Sequence, residues 1–200
     1  MRLEIAREAV RLFAAQGVAG TSVEQIAEAA GVSTRTFWRY FSTKESCVAP
    51  LLSFGADGLV RTLRAWPVER TLAGIGSHLE PGALPDWQPE HDPETTRTLV
   101  RLCWSEPGLR AVWLQANNDV EPRLVEALAE RSGISPGTLD TVVRAALLNA
   151  ALRAAVEHWA RQDADSNALD QLQDTISAAL LMAAQGIDGR PGTTTTNCHN

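Results

Sequence analysis

Residues 21–45, Thr21-Ser22-Val23-Glu24-Gln25-Ile26-Ala27-Glu28-Ala29-Ala30-Gly31-Val32-Ser33-Thr34-Arg35-Thr36-Phe37-Trp38-Arg39-Tyr40-Phe41-Ser42-Thr43-Lys44-Glu45, constrain this chain more than any other stretch. Ser22 is a good N-cap, and Gln25 three residues later completes a capping-box pattern, so a helix is expected to start here. Gly31 supplies the left-handed backbone that ends it. Ser33 caps the next helix almost at once, which leaves a connection of about three residues, the length of a helix-turn-helix. Ser42 followed by Glu45 repeats the capping-box spacing and predicts the start of a further helix.

The middle helix carries the chemistry. At about 100° per residue, Phe37 and Phe41 share one side, Arg35 and Arg39 lie nearly opposite, and Thr36 and Trp38 flank them. A helix this short is unstable alone, so the phenylalanines must dock it on its neighbours. From Gly31 to Lys44 there are three cations and no acid. Guanidinium forks suit guanine edges and phosphates, while hydroxyls and ring N–H groups suit phosphate oxygens. The surface expected to meet a DNA duplex comprises Ser22, Ser33, Thr34, Arg35, Thr36, Trp38, Arg39, Tyr40 and Lys44. The alternative for the same pattern is a helix-turn-helix that only packs, with its arginines a solvated face.

At these residues the chain resembles the TetR family of transcriptional regulators. The shared pattern is Ile26-Ala27, Ala30-Gly31-Val32-Ser33, then Thr36-Phe37-Trp38-Arg39-Tyr40-Phe41, then Thr43-Lys44-Glu45. Upstream, Ala9, Leu12-Phe13 and Gly17 match the family's first helix and its glycine stop. Trp38 stands where the family most often has Tyr, and Arg35 where a small residue is common; the latter suggests a side chain that reaches a base edge. No basic arm precedes the first helix, so none is expected in a minor groove. The resemblance implies a dimeric, ligand-responsive regulator, most often a repressor.

Net charge, −6 over 200 residues, argues against nucleic acid when taken alone. Its distribution reverses that. Residues 1–48 hold Arg2, Arg7, Arg11, Arg35, Arg39 and Lys44 against Glu4, Glu8, Glu24, Glu28 and Glu45, a net of +1, so the remainder carries −7. An acidic body discourages indiscriminate binding along a duplex.

The rest of the chain reads as helices and breaks, and no stretch alternates with strand period. A first helix is expected over about Arg2–Gln16 and a linking helix over about Lys44–Trp66, softened by Pro50, Gly55 and Gly58. A shorter helix follows over about Val68–Leu79, then a loop with four prolines, 80–93, whose length suggests a lid or an edge of a pocket, a plain flexible loop being the commoner case. Further helices are expected over about Glu94–Ser105, Leu109–Arg131, Leu139–Arg161 and Ala168–Gln185. The fold expected is all-α with about nine helices: a helix-turn-helix domain, 1–48, a helical effector-binding and dimerisation domain, 49–186, and a disordered tail, 187–200.

In the second domain His78, Leu79, Leu102, Cys103, Trp104, Leu109, Trp113, Asn117 and Asn149 are the candidate lining of an effector pocket, apolar with a few polar anchors. The last two helices carry a seam at spacings of three and four: Val143, Leu147, Ala150 and Ala154 on one, Leu169, Leu172, Ile176, Ala179 and Ala183 on the other. Leu180 and Leu181 leave apolar surface on a second face, so a partner is expected there; the resemblance to the TetR family implies that it is a second copy of the chain, and burial wholly within one monomer is the alternative.

Other function classes are poorly supported. There is no Ser/His/Asp arrangement, no phosphate-cradling glycine loop and no histidine pair at metal spacing. Glu157 and His158 are adjacent and do not converge. Cys47, Cys103 and Cys198 are widely spaced, without Cys-x-x-Cys. Neither catalysis, cofactor, metal nor disulfide framework is expected. With no apolar run of about twenty residues and no signal peptide, the setting expected is a reducing cytoplasm. The partners expected are a near-palindromic duplex, a second copy and a small-molecule effector of unknown identity; the rival reading is a ligand-binding helical protein whose DNA binding is degenerate or non-repressing.

Overall fold

The computed structural model describes residues 1–70, 93–162 and 168–185; for 54–56 and 169 it describes the backbone only. Eight α-helices fill these residues: α1 (Arg2–Gln16), α2 (Val23–Ala29), α3 (Thr34–Tyr40), α4 (Ala49–Ala65), α5 (Pro93–Ser105), α6 (Pro107–Ser132), α7 (Leu139–Arg161) and α8 (Ala168–Gln185). Among the described residues there is no strand, and no helix is long and apolar enough to cross a membrane. The helix expected over Val68–Leu79 begins as a turn, in which Arg70 N–H donates to the Pro67 carbonyl at 3.1 Å. Its remainder, the four-proline loop and the tail lie outside the described residues.

The helix-turn-helix forms as its caps dictate. The Ser22 hydroxyl accepts from Gln25 N–H at 3.2 Å and the Gln25 side chain accepts from Ser22 N–H at 2.8 Å, a complete capping box. At the other end Gly31 N–H donates to Glu28 C=O and Val32 N–H to Ala27 C=O, the paired bonds of a Schellman turn. Gly31 sits at φ +65°, a conformation that costs a residue with a Cβ.

The second expected capping box is displaced by one residue. Thr43 and Ser46 bond reciprocally: Thr43 N–H donates to Ser46 Oγ at 3.1 Å, and Ser46 N–H to Thr43 Oγ1 at 3.0 Å. Glu45 does not reach back to Ser42, because its side chain lies against the start of α6, where a Cβ on Gly108 would come within 2.9 Å of its Cγ. A 3-10 turn, Glu45–Val48, therefore precedes α4. Pro50 falls in the first turn of α4, where its missing N–H has no helical partner to lose.

Three buried clusters hold the helices together. In the first, Ile5, Ala9 and Phe13 of α1, Ile26 of α2 and Phe37 of α3 meet Phe41, Cys47 and Val48, and this core runs on into Leu99, Cys103, Leu109 and Trp113 of α5 and α6. The second joins Leu59, Val60 and Leu63 of α4 to Val120 and Leu124 of α6 and to Leu148 and Leu152 of α7, with Leu180 of α8. The third gathers Val100, Trp159, Ala160, Ala168 and Leu172. Burial of Phe37 and Phe41 contributes about 2 kcal/mol each, which is what lets a helix of seven residues exist.

An ideal Cβ on Gly31 would meet nothing within 4 Å, so Gly31→Ala tests backbone strain alone. The expected loss of stability is about 1–2 kcal/mol, read as a lower midpoint in urea unfolding with an unchanged slope.

Candidate nucleic-acid interface

The outward face of α3 is built from its buried one. Phe37 is fully buried, its ring 5.3 Å from that of Phe41 and 5.2 Å, edge-on, from that of Trp38. This anchors the helix in one rotation about its axis. Arg35 and Arg39 are consequently exposed, and Trp38 is 51% exposed. Thr34, Thr36 and Tyr40 are half-buried.

Polar groups on this face are partly committed. The Ser33 hydroxyl accepts from Thr36 N–H at 3.1 Å and lies 2.9 Å from Thr36 Oγ1. Arg39 stacks on Tyr40, guanidinium carbon 5.0 Å from the ring centre, and donates to the Tyr40 hydroxyl at 3.3 Å. Arg35 has no such partner and reaches outward alone on the first turn. Arg2 lies over the Phe41 ring at 5.6 Å; sequence reasoning gave it no role, because only the tertiary fold brings α1's start to the end of α3. The face therefore offers guanidiniums, hydroxyls and an indole N–H without an acid on α3, the chemistry suited to phosphate and base edges.

Lys44 belongs elsewhere. Its ammonium donates to the carbonyls of Val18 at 2.5 Å and Thr21 at 2.8 Å. It clasps the residues after α3 to the loop between α1 and α2, and two of its three donors are spent there. Ser22 likewise uses its hydroxyl as a cap.

Most of the candidate pocket residues come together, but among the described residues they pack as core. Cys103, Leu109 and Trp113 are buried in the first core, with Leu102 packed against them, because α5 and the start of α6 lean on α1 rather than around a cavity. Trp113 Nε1 donates to Glu157 at 2.9 Å. Asn117 donates to Trp113 C=O and Asn149 to Asn117 C=O, so the two amides brace α6 against α7; Asn149 Oδ1 has no hydrogen-bond partner. Trp104 stands apart, beneath the Arg161 guanidinium at 4.5 Å. His78 and Leu79 lie outside the described residues. An open cleft of about 780 Å³ lies elsewhere, between the start of α1, α4 and α6, with Arg2, Ser46, Pro50, Asp57, Val112 and Arg123 among its walls.

The seam residues separate by helix. On α7, Val143, Leu147, Ala150 and Ala154 are all exposed. On α8 the expected seam turns inward: Leu172 is buried in the third core, and Ile176, Ala179 and Ala183 are half-buried. Leu181 and Met182, 42% and 68% exposed, form the outward apolar surface instead. Only the backbone of Leu169 is described.

Nothing described resembles a reactive centre. Burial pushes the Cys47 thiol up to about 12, with Glu45 adding to the effect, and burial likewise pushes Cys103 up to about 12. Neither is a thiolate at neutral pH. Among the described residues no cluster of His, Cys, Asp and Glu could hold a metal ion.

A family model described as bacterial regulatory proteins, tetR family, matches residues 5–51, and one described as the MftR C-terminal domain matches residues 86–184. The HTH-type transcriptional regulator TcmR of Streptomyces glaucescens is 33% identical over 177 residues, covering 84% of this chain and 77% of that protein. The chain belongs to the TetR family. A second relative of this TetR-family regulator, MftR of Mycobacterium tuberculosis, assigned to transcriptional regulation of mycofactocin biosynthesis, is 27% identical over 188 residues, 90% and 87% of the two chains. The fold is shared with Thermus thermophilus FadR, a TetR-family repressor solved with lauroyl-CoA, at a TM-score of 0.51 and 22% identity over 96% and 97% of the two chains. As a member of this family the chain is a DNA-binding transcription regulator and not an enzyme.

Because Lys44 holds backbone carbonyls, Lys44→Met should cost stability, about 2 kcal/mol by thermal or urea unfolding. Under conditions where the variant is fully folded, the salt slope of its DNA binding should match that of the unchanged protein.

Proposed function

We propose that this TetR-family regulator is a homodimeric repressor that holds a near-palindromic operator through α3 while unliganded and leaves it when a small molecule binds the C-terminal helices. The observation that carries the reading is the pairing of exposed Arg35 and Arg39 with buried Phe37 and Phe41 on opposite faces of one short helix. Arg35 reads a base edge from the first turn; Arg39, Trp38, Tyr40, Thr34, Thr36 and Ser33 hold phosphates or flank the bases. Residues 1–48 form the reading head, and 49–186 the effector-binding and dimerising part.

Dimerisation is supported by the outer face of α7, where Val143, Leu147, Ala150 and Ala154 form an exposed stripe at spacings of four, three and four. With Leu181 and Met182 of α8 beside it, this stripe would close a four-helix bundle against its symmetry mate. Two reading heads then lie about 34–36 Å apart, one turn of the duplex. A ligand-controlled repressor is in keeping with Thermus thermophilus FadR, which carries lauroyl-CoA. The ligand acts by binding one head spacing more tightly than the other.

Selection of random duplexes on purified protein, followed by titrations at two salt concentrations, tests the reading. A two-fold symmetric site bound by a dimer is expected. Weak, salt-sensitive binding with no preferred site would point instead to a ligand-binding protein whose helix-turn-helix does not read DNA. On the recovered site, Arg35→Ala should cost about 1–3 kcal/mol and relax the preference at one position per half-site, while Arg39→Ala should weaken all duplexes alike and lower the salt slope by about one. Selectivity left intact by Arg35→Ala would remove the assignment.

Placing a carboxylate in the α7 stripe tests the dimer separately. Leu147→Glu should sediment as a folded monomer, with affinity for the full site reduced to that for a half-site; a dimer of unchanged strength would place the interface elsewhere.

A further inference from the structure

Arg97, in the second turn of α5, is 1% exposed. A guanidinium is charged at every accessible pH and offers five N–H donors. Here Nε, Nη1 and Nη2 are all buried without a hydrogen-bond partner. The guanidinium lies over the Trp159 ring, 4.5 Å from its centre. Its ion pair with Glu94 spans 3.8 Å from Nε, too long for a hydrogen bond, and the Glu94 side chain is 50% exposed. A ring face and a distant carboxylate do not replace the water that this cation has given up.

The neighbouring arginine shows what a structural role looks like in this place. Arg101, one turn on, donates from Nε to Ala160 C=O and from Nη2 to Gln162 C=O, both at 2.6 Å, and so satisfies the last carbonyls of α7. Arg97 does no such work. The ring it lies over belongs to an apolar cluster: Val100, Trp159, Ala160, Ala168 and Leu172 form the third core, with Trp104 packed at its edge. Trp104 is half-buried and covered by the exposed Arg161, a contact that can open without disturbing the core.

We propose that Arg97 is the anchor of a carboxylate-binding site, and that the effector of this regulator carries one carboxylate on an apolar body. The fork of Nε and Nη atoms suits a carboxylate bidentately, Trp159 stacks on the guanidinium, and the body enters at the edge of the third core, where the Arg161–Trp104 contact opens. The inference rests on the reading of the C-terminal helices as the effector-binding part.

The test uses the full chain with two probes of equal length, octanoate and 1-octanol, followed by tryptophan fluorescence. The unchanged protein should bind octanoate at least about tenfold more tightly than octanol, the worth of a charge-assisted bond to a buried donor. Arg97→Met should abolish that preference. Should Arg97→Met not fold, Arg97→Lys decides, since it keeps the charge but loses the fork and should retain only part of the preference. The proposal is overturned if the unchanged protein does not distinguish the two probes, including the case in which neither binds, or if the preference survives in the folded Met variant or undiminished in the Lys variant. Binding of probe-free Arg97 variants to the selected duplex runs alongside. Duplex binding retained with the octanoate preference lost supports this site. Duplex binding absent from the unchanged protein too would count against the regulator reading, while the two probes would still decide for or against Arg97.

Discussion

The rest of the structure depends on the docking of a seven-residue helix onto a core that it does not own. Phe37 and Phe41 are buried not only against α1 and α2 but in a cluster that extends through Cys47 and Val48 to Leu99, Cys103, Leu109 and Trp113. The reading face is thus fixed by residues from both halves of the chain. A displacement of α5 or of the start of α6 must either move the helices that carry α3 or open a gap among fully buried side chains, and close-packed interiors resist the second. Coupling between the halves needs no separate device, because they share side-chain contacts.

Charged contacts add direction to that coupling. Arg123 of α6 pairs with Asp57 of α4, and Arg64 of α4 pairs with Glu130 of α6 at 3.1 Å, so the two helices are tied at separated points along their lengths. These pairs are largely exposed, and each contributes less than about 1 kcal/mol. The junction of α6 with α7 is more enclosed: Arg110 at 3.0 Å and Trp113 at 2.9 Å converge on one oxygen of Glu157, with Arg153 at 3.7 Å. Glu157, read in sequence only beside His158, is the hub of α6 and α7. The α4–α6 ties can exchange partners cheaply, while the Glu157 hub resists rearrangement, which favours α6 and α7 moving together.

Legibility in the sequence follows the range of the interactions concerned. The caps at Ser22 and Ser33 and the turn at Gly31 are set by neighbours a few residues away, so the helix-turn-helix was readable to its hydrogen bonds. The ends of α1, α7 and α8 were equally local. The displaced box at Thr43 and Ser46 was not, because the Glu45 side chain packs close to Gly108 and Lys44 bonds to Val18 and Thr21, neighbours outside any local window. Pattern alone also could not sort Leu172 from Leu181, since α8 is apolar on both sides and only its packing on α7 decides which side is inner. The same limit holds for the pocket candidates: Cys103 and Trp113 have the composition of a cavity wall and the position of a core.

The two arginines of α3 are alike in sequence and unlike in the fold, and the difference bears on how such a face would engage a duplex. Arg39 is already held, stacked on Tyr40 and bonded to its hydroxyl, so less side-chain freedom remains to be lost on contact, a cost of about 0.5–1.5 kcal/mol for a mobile side chain. Arg35 is exposed on the opening turn and retains that freedom. A held guanidinium favours one geometry and positions the head on its phosphates; a free one can follow the edge of a base as the head spacing changes. Register would then come from Arg39 and discrimination from Arg35, a division that the buried pair Phe37 and Phe41 makes possible by fixing the helix between them.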